Sequence, residues 1–389
     1  MKRFFKRLIP LCLLLPAAAG SLSAHEVREA QPVPPAVRED LILSFTGDMM
    51  AHIINYAMPD YSMIYRDVED IMLGDSLTFS NVEFPVNPEI PQASYPVFNI
   101  HPEYVEAAVR AGVDVLSIAN NHTADQGTAG LKATVGAMQA LCVKFKKEGR
   151  SIRFSGAKTN PRTEFKPVTI YKNGWKIGYL SVSQFSNVTP RPGYMMLVNF
   201  NNKDDSAAFI DMIAEESGNY DLFILAYHGG VEYRTSPLRR KTEFFEKLAE
   251  AGVDIIWGHH PHVVQPIERI KTSRGETVVM NSLGNFISGQ GRINDPALPE
   301  EEWSYTGDSA IVQLEIRDED GRPGFADLRA IPIANIMTTN REVVITPLEE
   351  LTHQPVPEPW MNFFLERYIL MHDYFNRNIR SYELPSSRD

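Results

Sequence analysis

The stretch Asp114-Val115-Leu116-Ser117-Ile118-Ala119-Asn120-Asn121-His122 decides the fold class. A run of mostly apolar residues stops abruptly at three polar ones, which reads as a buried strand ending in a polar turn. Before it, residues 102–111 have helical character, and Gly112 closes that segment. After it, Leu131, Val135, Met138 and Cys142 recur at helical spacing. Helix, glycine, strand, polar turn, helix is the rhythm of parallel α/β structure.

The same rhythm extends outward. Residues 41–46 predict a strand running into Gly47-Asp48, and residues 76–82 a second one after a helical segment over 63–73. Downstream, apolar runs over 168–171 and 175–182 flank Asn173-Gly174, a hairpin signal because both turn residues tolerate positive φ. A helix over 203–216 then precedes a strand over 221–227. Pro237, placed at a first helical turn, opens an amphipathic helix that carries Leu238, Phe245, Leu248 and Ala249, and Gly252 ends it ahead of a strand over 253–257. Two hairpin-like units follow, 263–270 with 277–281 and 310–316 with 326–331. Residues 357–380 read as an aromatic helix that packs on the domain or on a partner.

The ends are of another kind. Lys2, Arg3, Lys6 and Arg7 precede an apolar stretch over 8–16, and small residues follow through Ala24, the layout of a secretory signal peptide cleaved between about Ala19 and Ala24. That stretch is shorter than the ~20 residues a permanent span requires; a retained signal anchor is the alternative. Residues 25–40 are polar and rich in proline, a linker. The expected organisation is signal peptide 1–24, linker 25–40, an α/β domain over 41–340 and a helical extension over 341–389. The expected location is periplasmic or extracellular.

Across 389 residues, 49 acidic side chains oppose 38 basic ones, for a net charge of -11. Loss of the four basic residues of the signal peptide takes this to -15. Phosphate recognition needs clustered Lys and Arg, so a nucleic-acid partner is excluded. The two cysteines, Cys12 and Cys142, exclude a disulfide scaffold and a cysteine-rich zinc module.

Chemistry collects at the strand ends. Asp48 follows the first strand, Asn121 and His122 the third, His228 a later one, and Gly258-His259-His260-Pro261-His262 the next. In an open α/β sheet the carboxyl ends of parallel strands line one crevice, so these clusters predict one shared site. Asp, Glu, Asn and His without cysteine offer oxygen and imidazole donors, which suit zinc, manganese or iron(II). His260 and His262 are two residues apart and cannot share a helix face. On a turn stiffened by Pro261, both rings can face one side.

Six blocks, in this order, carry a resemblance: Thr46-Gly47-Asp48; Asn81-Val82-Glu83; Ala119-Asn120-Asn121-His122 with Asp125 and Gly127; His228-Gly229-Gly230-Val231-Glu232-Tyr233; Gly258-His259-His260-Pro261-His262-Val263; and Ser282-Leu283-Gly284-Asn285-Phe286. Together they resemble the poly-gamma-glutamate capsule-synthesis (CapA) family, which is similar to calcineurin-like metallophosphoesterases. The resemblance implies a four-layer fold, two stacked mixed sheets with helices outside. It also implies one or two divalent metal ions. Asp48 would be a ligand of the first ion and Glu83 the bridging carboxylate. Asn121, His228 and His260 would complete the second site, and His262 would return to the first. His122 takes the position of a histidine that protonates the leaving group or steadies the transferring oxygens, with Asp125 orienting it or capping the next helix. Paired divalent ions generate a nucleophile near neutral pH and stabilise attacking and leaving oxygens.

Two positions depart from the pattern. Met50 stands where the phosphoesterases place a histidine, leaving His52 either as its substitute or as an ordinary helix-start residue. Gly230 stands where the family usually has Trp. Glu232 and Tyr233 either orient His228 or cap the following loop, and Asn285 is either a polar pocket group or a turn residue. The functional expectation is an exported metal-dependent hydrolase, phosphoesterase-like or amide-cleaving, that acts on an anionic cell-envelope polymer or a phosphoester in contact with membrane-bound capsule machinery. Its rival is a non-catalytic protein that binds such a polymer through metal.

Overall fold

Leu41, Leu43 and Phe45 alternate along the first strand and are fully buried, so one face of it points into a core from the start. The computed structural model describes residues 37–290, 302–338, 340–377 and 379–384. The expected signal peptide, Cys12 and most of the linker lie outside the described residues. The linker's last residues are pinned: Arg38 pairs with Asp221 at 2.6 Å, and Glu39 donates its backbone N–H to Asn173 O at 3.0 Å.

The first half of the chain runs β1 (Leu41–Met49), α1 (Ile53–Tyr56), α2 (Glu69–Leu73), β2 (Leu77–Val82), α3 (Pro102–Arg110), β3 (Val113–Ser117), α4 (Gly127–Lys147), β4 (Arg153–Ser155), β5 (Val168–Lys172) and β6 (Trp175–Ser183). Then come α5 (Lys203–Ser217), β7 (Leu222–His228), α6 (Arg239–Glu250), β8 (Ile255–His259), β9 (Val264–Thr272), β10 (Gly275–Leu283) and β11 (Asn285–Ile287). The last elements are β12 (Asp308–Glu319), β13 (Arg322–Met337), β14 (Val343–Pro347), α7 (Leu348–Leu351), α8 (Glu358–Arg377) and β15 (Arg380–Glu383).

These strands form two mixed sheets. One has the order β14-β13-β12-β1-β2-β3-β4, with β11 also on β1; the other is β15-β9-β10-β8-β7-β6-β5. Their parallel centres, β1-β2-β3 and β6-β7-β8, send all their carboxyl ends to one edge of each sheet. Between the sheets lies an apolar layer of Leu43, Phe45, Phe79, Tyr179, Ile224 and Trp257. On the outer face of the first sheet, Leu116 packs with Val105 of α3 and Leu131 and Met138 of α4. On that of the second, Phe223 and Leu225 pack with Ile213 of α5 and Phe245 and Leu248 of α6. The result is the expected four-layer order of helix, sheet, sheet, helix. Among the bonds that tie the sheets, Trp257 Nε1 donates to Thr46 O at 2.9 Å, and the Ser117 and Ser181 hydroxyls meet at 2.7 Å.

Local chemistry explains the elements that were foreseen. Asn173 and Gly174 have φ of 49° and 81°, as the tight β5-β6 hairpin demands. Asn202 accepts from the N–H groups of Asp204 and Asp205 and starts α5. Gly47 has no alternative, because a Cβ there would lie 2.1 Å from Gly284 O.

Three expectations change. The helical segment over 63–73 is broken: Asp60 caps a 3-10 turn over Tyr61–Ile64, and α2 begins only at Glu69. Pro237 sits before Leu238, the N-cap of α6, and so outside the helix. Residues 341–389 are not purely helical. β14 extends the first sheet on β13, β15 pairs with β9 in the second, and Phe364, Met371 and Phe375 of α8 join the inter-sheet core.

One consequence concerns pH. Asp254, just before β8, accepts the Phe223 N–H at 2.6 Å, and burial pushes its carboxyl up to about 7 against that bond and the charge of Arg274. A folded pKa above the unfolded one means that the folded chain holds the proton more tightly. This group's contribution is therefore intact at low pH and declines as pH rises from about 4 to about 7. Asp254→Asn keeps the acceptor and removes the charge. It is expected to raise stability at pH 8 by up to about 4 kcal/mol and to change nothing at pH 4, as thermal melts across pH will show.

Candidate metal centre

The parallel strands deliver their side chains to a common point. Asp48 is the next-to-last residue of β1, Glu83 follows β2, Asn120 to His122 follow β3, His228 ends β7, and His259 ends β8 and leads into His260 and His262. All are buried. Asn285 enters from β11, in register with Asp48.

Asp48 is saturated. Its Oδ1 accepts from Asn81 Nδ2 at 2.9 Å and meets His259 Nδ1 at 2.8 Å. Its Oδ2 accepts the His260 backbone N–H at 3.2 Å and lies 3.3 Å from His262 Nδ1. Burial works to raise this carboxyl, yet hydrogen bonds and charge from His259 and His262 hold it well below the usual carboxylate range.

Glu83 is the opposite case. It is fully buried, and neither carboxylate oxygen has a hydrogen-bond partner. Its Oε1 lies 3.5 Å from His228 Nε2 and 3.6 Å from His262 Nε2. Burial first, then the charges of Asp48 and Glu232, push its carboxyl well above the usual range. A carboxylate so placed is costly unless a cation completes it.

The histidines around Glu83 present ring nitrogens to the same point. His228 meets Asn121 Oδ1 at 2.7 Å through Nε2 and Asn81 Nδ2 at 3.3 Å through Nδ1. Burial and then His260 keep its pKa well below the ordinary value. Burial, reinforced by His262, lowers His260 to about 3, and its Nδ1 is buried without a partner. At His262 burial lowers the pKa, but the bond to Asp48 and its charge win and raise it. His260 and His262 have φ of 97° and 58°, left-handed values that cost a non-glycine residue about 1–3 kcal/mol each. That strain turns both rings inward from either side of Pro261.

Ligand atoms of Glu83, His260 and His262 lie within 4.8 Å of one another, as do those of Asp48, Glu83 and His228. Glu83 is common to both groups, as a bridging carboxylate would be. The resemblance pairs Asp48 with His262 and His228 with His260; here the side chains form one cluster around Glu83. The bare oxygens of Glu83 and the partnerless Nδ1 of His260 fit a divalent cation, and the oxygen and imidazole donors fit a hard or borderline one.

Beside the cluster, His122 Nδ1 meets Asp125 Oδ2 at 2.8 Å, and the same oxygen accepts the Phe98 N–H at 2.9 Å. Asp125 thus orients His122. The edge of the imidazole packs on Phe98, with centroids 4.8 Å apart.

The remaining candidates divide. Asn285 is a pocket group, with Oδ1 3.0 Å from His262 Nδ1 and Nδ2 donating to Gln290 Oε1 at 3.0 Å. Gln290 Nε2 in turn donates to the Tyr233 hydroxyl at 3.3 Å, so Tyr233 is linked toward His262 and not His228. Glu232 is exposed and makes no bond to His228, because the turn at Gly229-Gly230, with φ of 134° at Gly230, directs the chain outward. His52 caps α1, and its Nδ1 accepts the Gly289 N–H at 3.0 Å; it is outside the ligand groups. Met50 is buried in the apolar cluster on the outer side of the first sheet. Two site residues had no role assigned from sequence, Asn81 and His259, both of which hold Asp48 Oδ1.

Residues 42–290, which contain every residue of the cluster, match the family described as "Bacterial capsule synthesis protein PGA_cap". The chain belongs to this family. It is 28% identical over 360 residues to "Capsule biosynthesis protein CapA" of Bacillus anthracis, covering 90% of this chain and 80% of that protein. It is 31% identical over 289 residues to "PGA biosynthesis protein CapA" of Bacillus subtilis (strain 168), covering 71% and 68%. Among solved structures, the calcineurin-like phosphoesterase YfkN from Bacillus subtilis aligns with a TM-score of 0.41 at 13% identity, over 87% of this chain and 99% of that one. The PGA_cap match ends at residue 290, so β12 to β15 lie beyond it.

Proposed function

We propose that this PGA_cap protein is exported and acts as a metal-dependent hydrolase in the synthesis, processing or export of a poly-γ-glutamate-like capsule or another cell-envelope polymer. The observation that carries this reading is Glu83, a buried carboxylate with no hydrogen-bond partner, ringed by imidazoles. Two relatives named for capsule and PGA biosynthesis supply the polymer class. Asp48, Glu83, Asn121, His228, His260 and His262 would hold the ion. A divalent cation there supplies Lewis acidity and water activation near neutral pH.

The chain's own residues do the rest. With the His122 Nδ1 proton directed at Asp125, Nε2 is the atom left to hold or give a proton at the leaving group, oxygen or nitrogen. The Phe98 N–H fixes the Asp125 carboxylate and with it the tautomer. At a mature charge of -15 the protein repels an anionic chain at long range, so capture is local, at the cation.

The test is a purification without chelator, followed by metal analysis and assays on a chromogenic phosphodiester and on polyglutamate with zinc, manganese or iron(II). Bound metal and turnover of either substrate are expected, with the N-terminus of the exported chain beginning between about residues 20 and 25. Metal bound and polymer retained without turnover would replace hydrolysis with binding. A metal-free, inactive protein would sink the reading.

A further inference from the structure

Lys241 is fully buried in the first turn of α6, where the unpaired N–H groups of the helix end already disfavour a cation. Its hydrogen bonds go to two backbone carbonyls, Gly229 O at 2.9 Å and Asn281 O at 3.1 Å, and no carboxylate is among their acceptors. Burial pushes the ammonium down to about 7, opposed by Asp48. Apart from the face of Phe245, 5.3 Å from Nζ, these two carbonyls are what compensates the buried ammonium, so its bonds to them are the part of the side chain that the fold uses.

The two carbonyls explain its place. Gly229 directly follows His228 at the end of β7, and Asn281 lies on β10; these strands flank β8, whose end carries His259. A Cβ on Gly258 would lie 2.3 Å from Asn281 O, so the second carbonyl sits against the end of β8 that leads into His259 and His260. One side chain therefore joins the chain that follows His228 to the strand packed against the approach to His260-Pro261-His262.

We infer that Lys241 is a positioning residue for the metal centre, a tie whose bonds to Gly229 and Asn281 set the spacing between His228 and the His260-Pro261-His262 turn. This rests on the metal-dependent reading above. The tie acts through hydrogen bonds and not through charge, since a positive charge beside a cation site opposes occupancy.

The experiment measures Mn²⁺ affinity by calorimetry and the ion-free melting temperature for wild type, K241M, K241L and K241Q. K241M and K241L are expected to bind Mn²⁺ about tenfold more weakly or worse, while still folding cooperatively without the ion. K241Q, a neutral donor, is expected to recover affinity to within about threefold of wild type. Wild-type affinity in K241M or K241L overturns the inference, and so does a loss in K241Q as large as theirs. Failure of both apolar variants to fold while K241Q folds assigns Lys241 to the fold alone and also overturns it. A wild type that binds no Mn²⁺, zinc or iron(II) defeats the functional reading itself, a result distinct from all of these.

Discussion

Glu83→Gln is expected to abolish ion binding while leaving the ion-free protein at least as stable as the wild type. The substitution keeps the shape of the side chain and removes a carboxyl that burial already drives toward its neutral form. No hydrogen bond is lost, because neither oxygen has one. An ion would be left without the one carboxylate common to both ligand groups. Removing one partner of a buried charge pair costs about 3–5 kcal/mol, two orders of magnitude or more in affinity. Thermal melts with and without manganese or zinc separate the cases. Saturation at about 100 times Kd stabilises the wild type by about 2.7 kcal/mol, and the variant should show no shift. An equal shift in both proteins would remove Glu83 from the centre.

His122→Ala is expected to lower kcat by about 10²–10⁴ with metal content unchanged. The imidazole is bound to Asp125 and lies outside the ligand groups, so its loss leaves the cluster intact. Asp125→Asn should fall in the same direction, because an amide can donate to Nδ1 and force the wrong tautomer. The diagnostic is the leaving group. With a nitrophenolate, which departs without a proton, the His122→Ala defect should shrink; an equal defect with good and poor leaving groups would exclude proton donation by His122.

Much of this was legible in the chain because burial and periodicity act locally. The run from Asp114 to Ala119 could only be a covered strand, and the polar residues after it could only lie at its end. Asp48 stood out at the end of the first predicted strand, whereas Glu83 came from the family resemblance alone. What escaped depends on partners distant in sequence. β15 has one apolar residue in Arg380-Ser381-Tyr382-Glu383, and its pairing with β9 is a backbone event that no side-chain period reports. His259 and Asn81 act on Asp48 from two different sheets. Glu232 looked like a partner of His228 because it is close in sequence, but a glycine turn separates them in space. Lys241 carried no signal at all, since a lysine in a helix repeat reads as solvated.

The cross-sheet bond from Trp257 to Thr46 has a consequence for how this chain can drift. Its donor lies two residues before His259 and its acceptor two before Asp48, so the gap between the sheets and the His259–Asp48 contact are one dimension. Residues of the inter-sheet layer, though they touch no ligand, are therefore under the tolerance of the site. A repacking that melts at the same temperature but moves the sheets apart by a fraction of an ångström would be silent in folding and visible in chemistry.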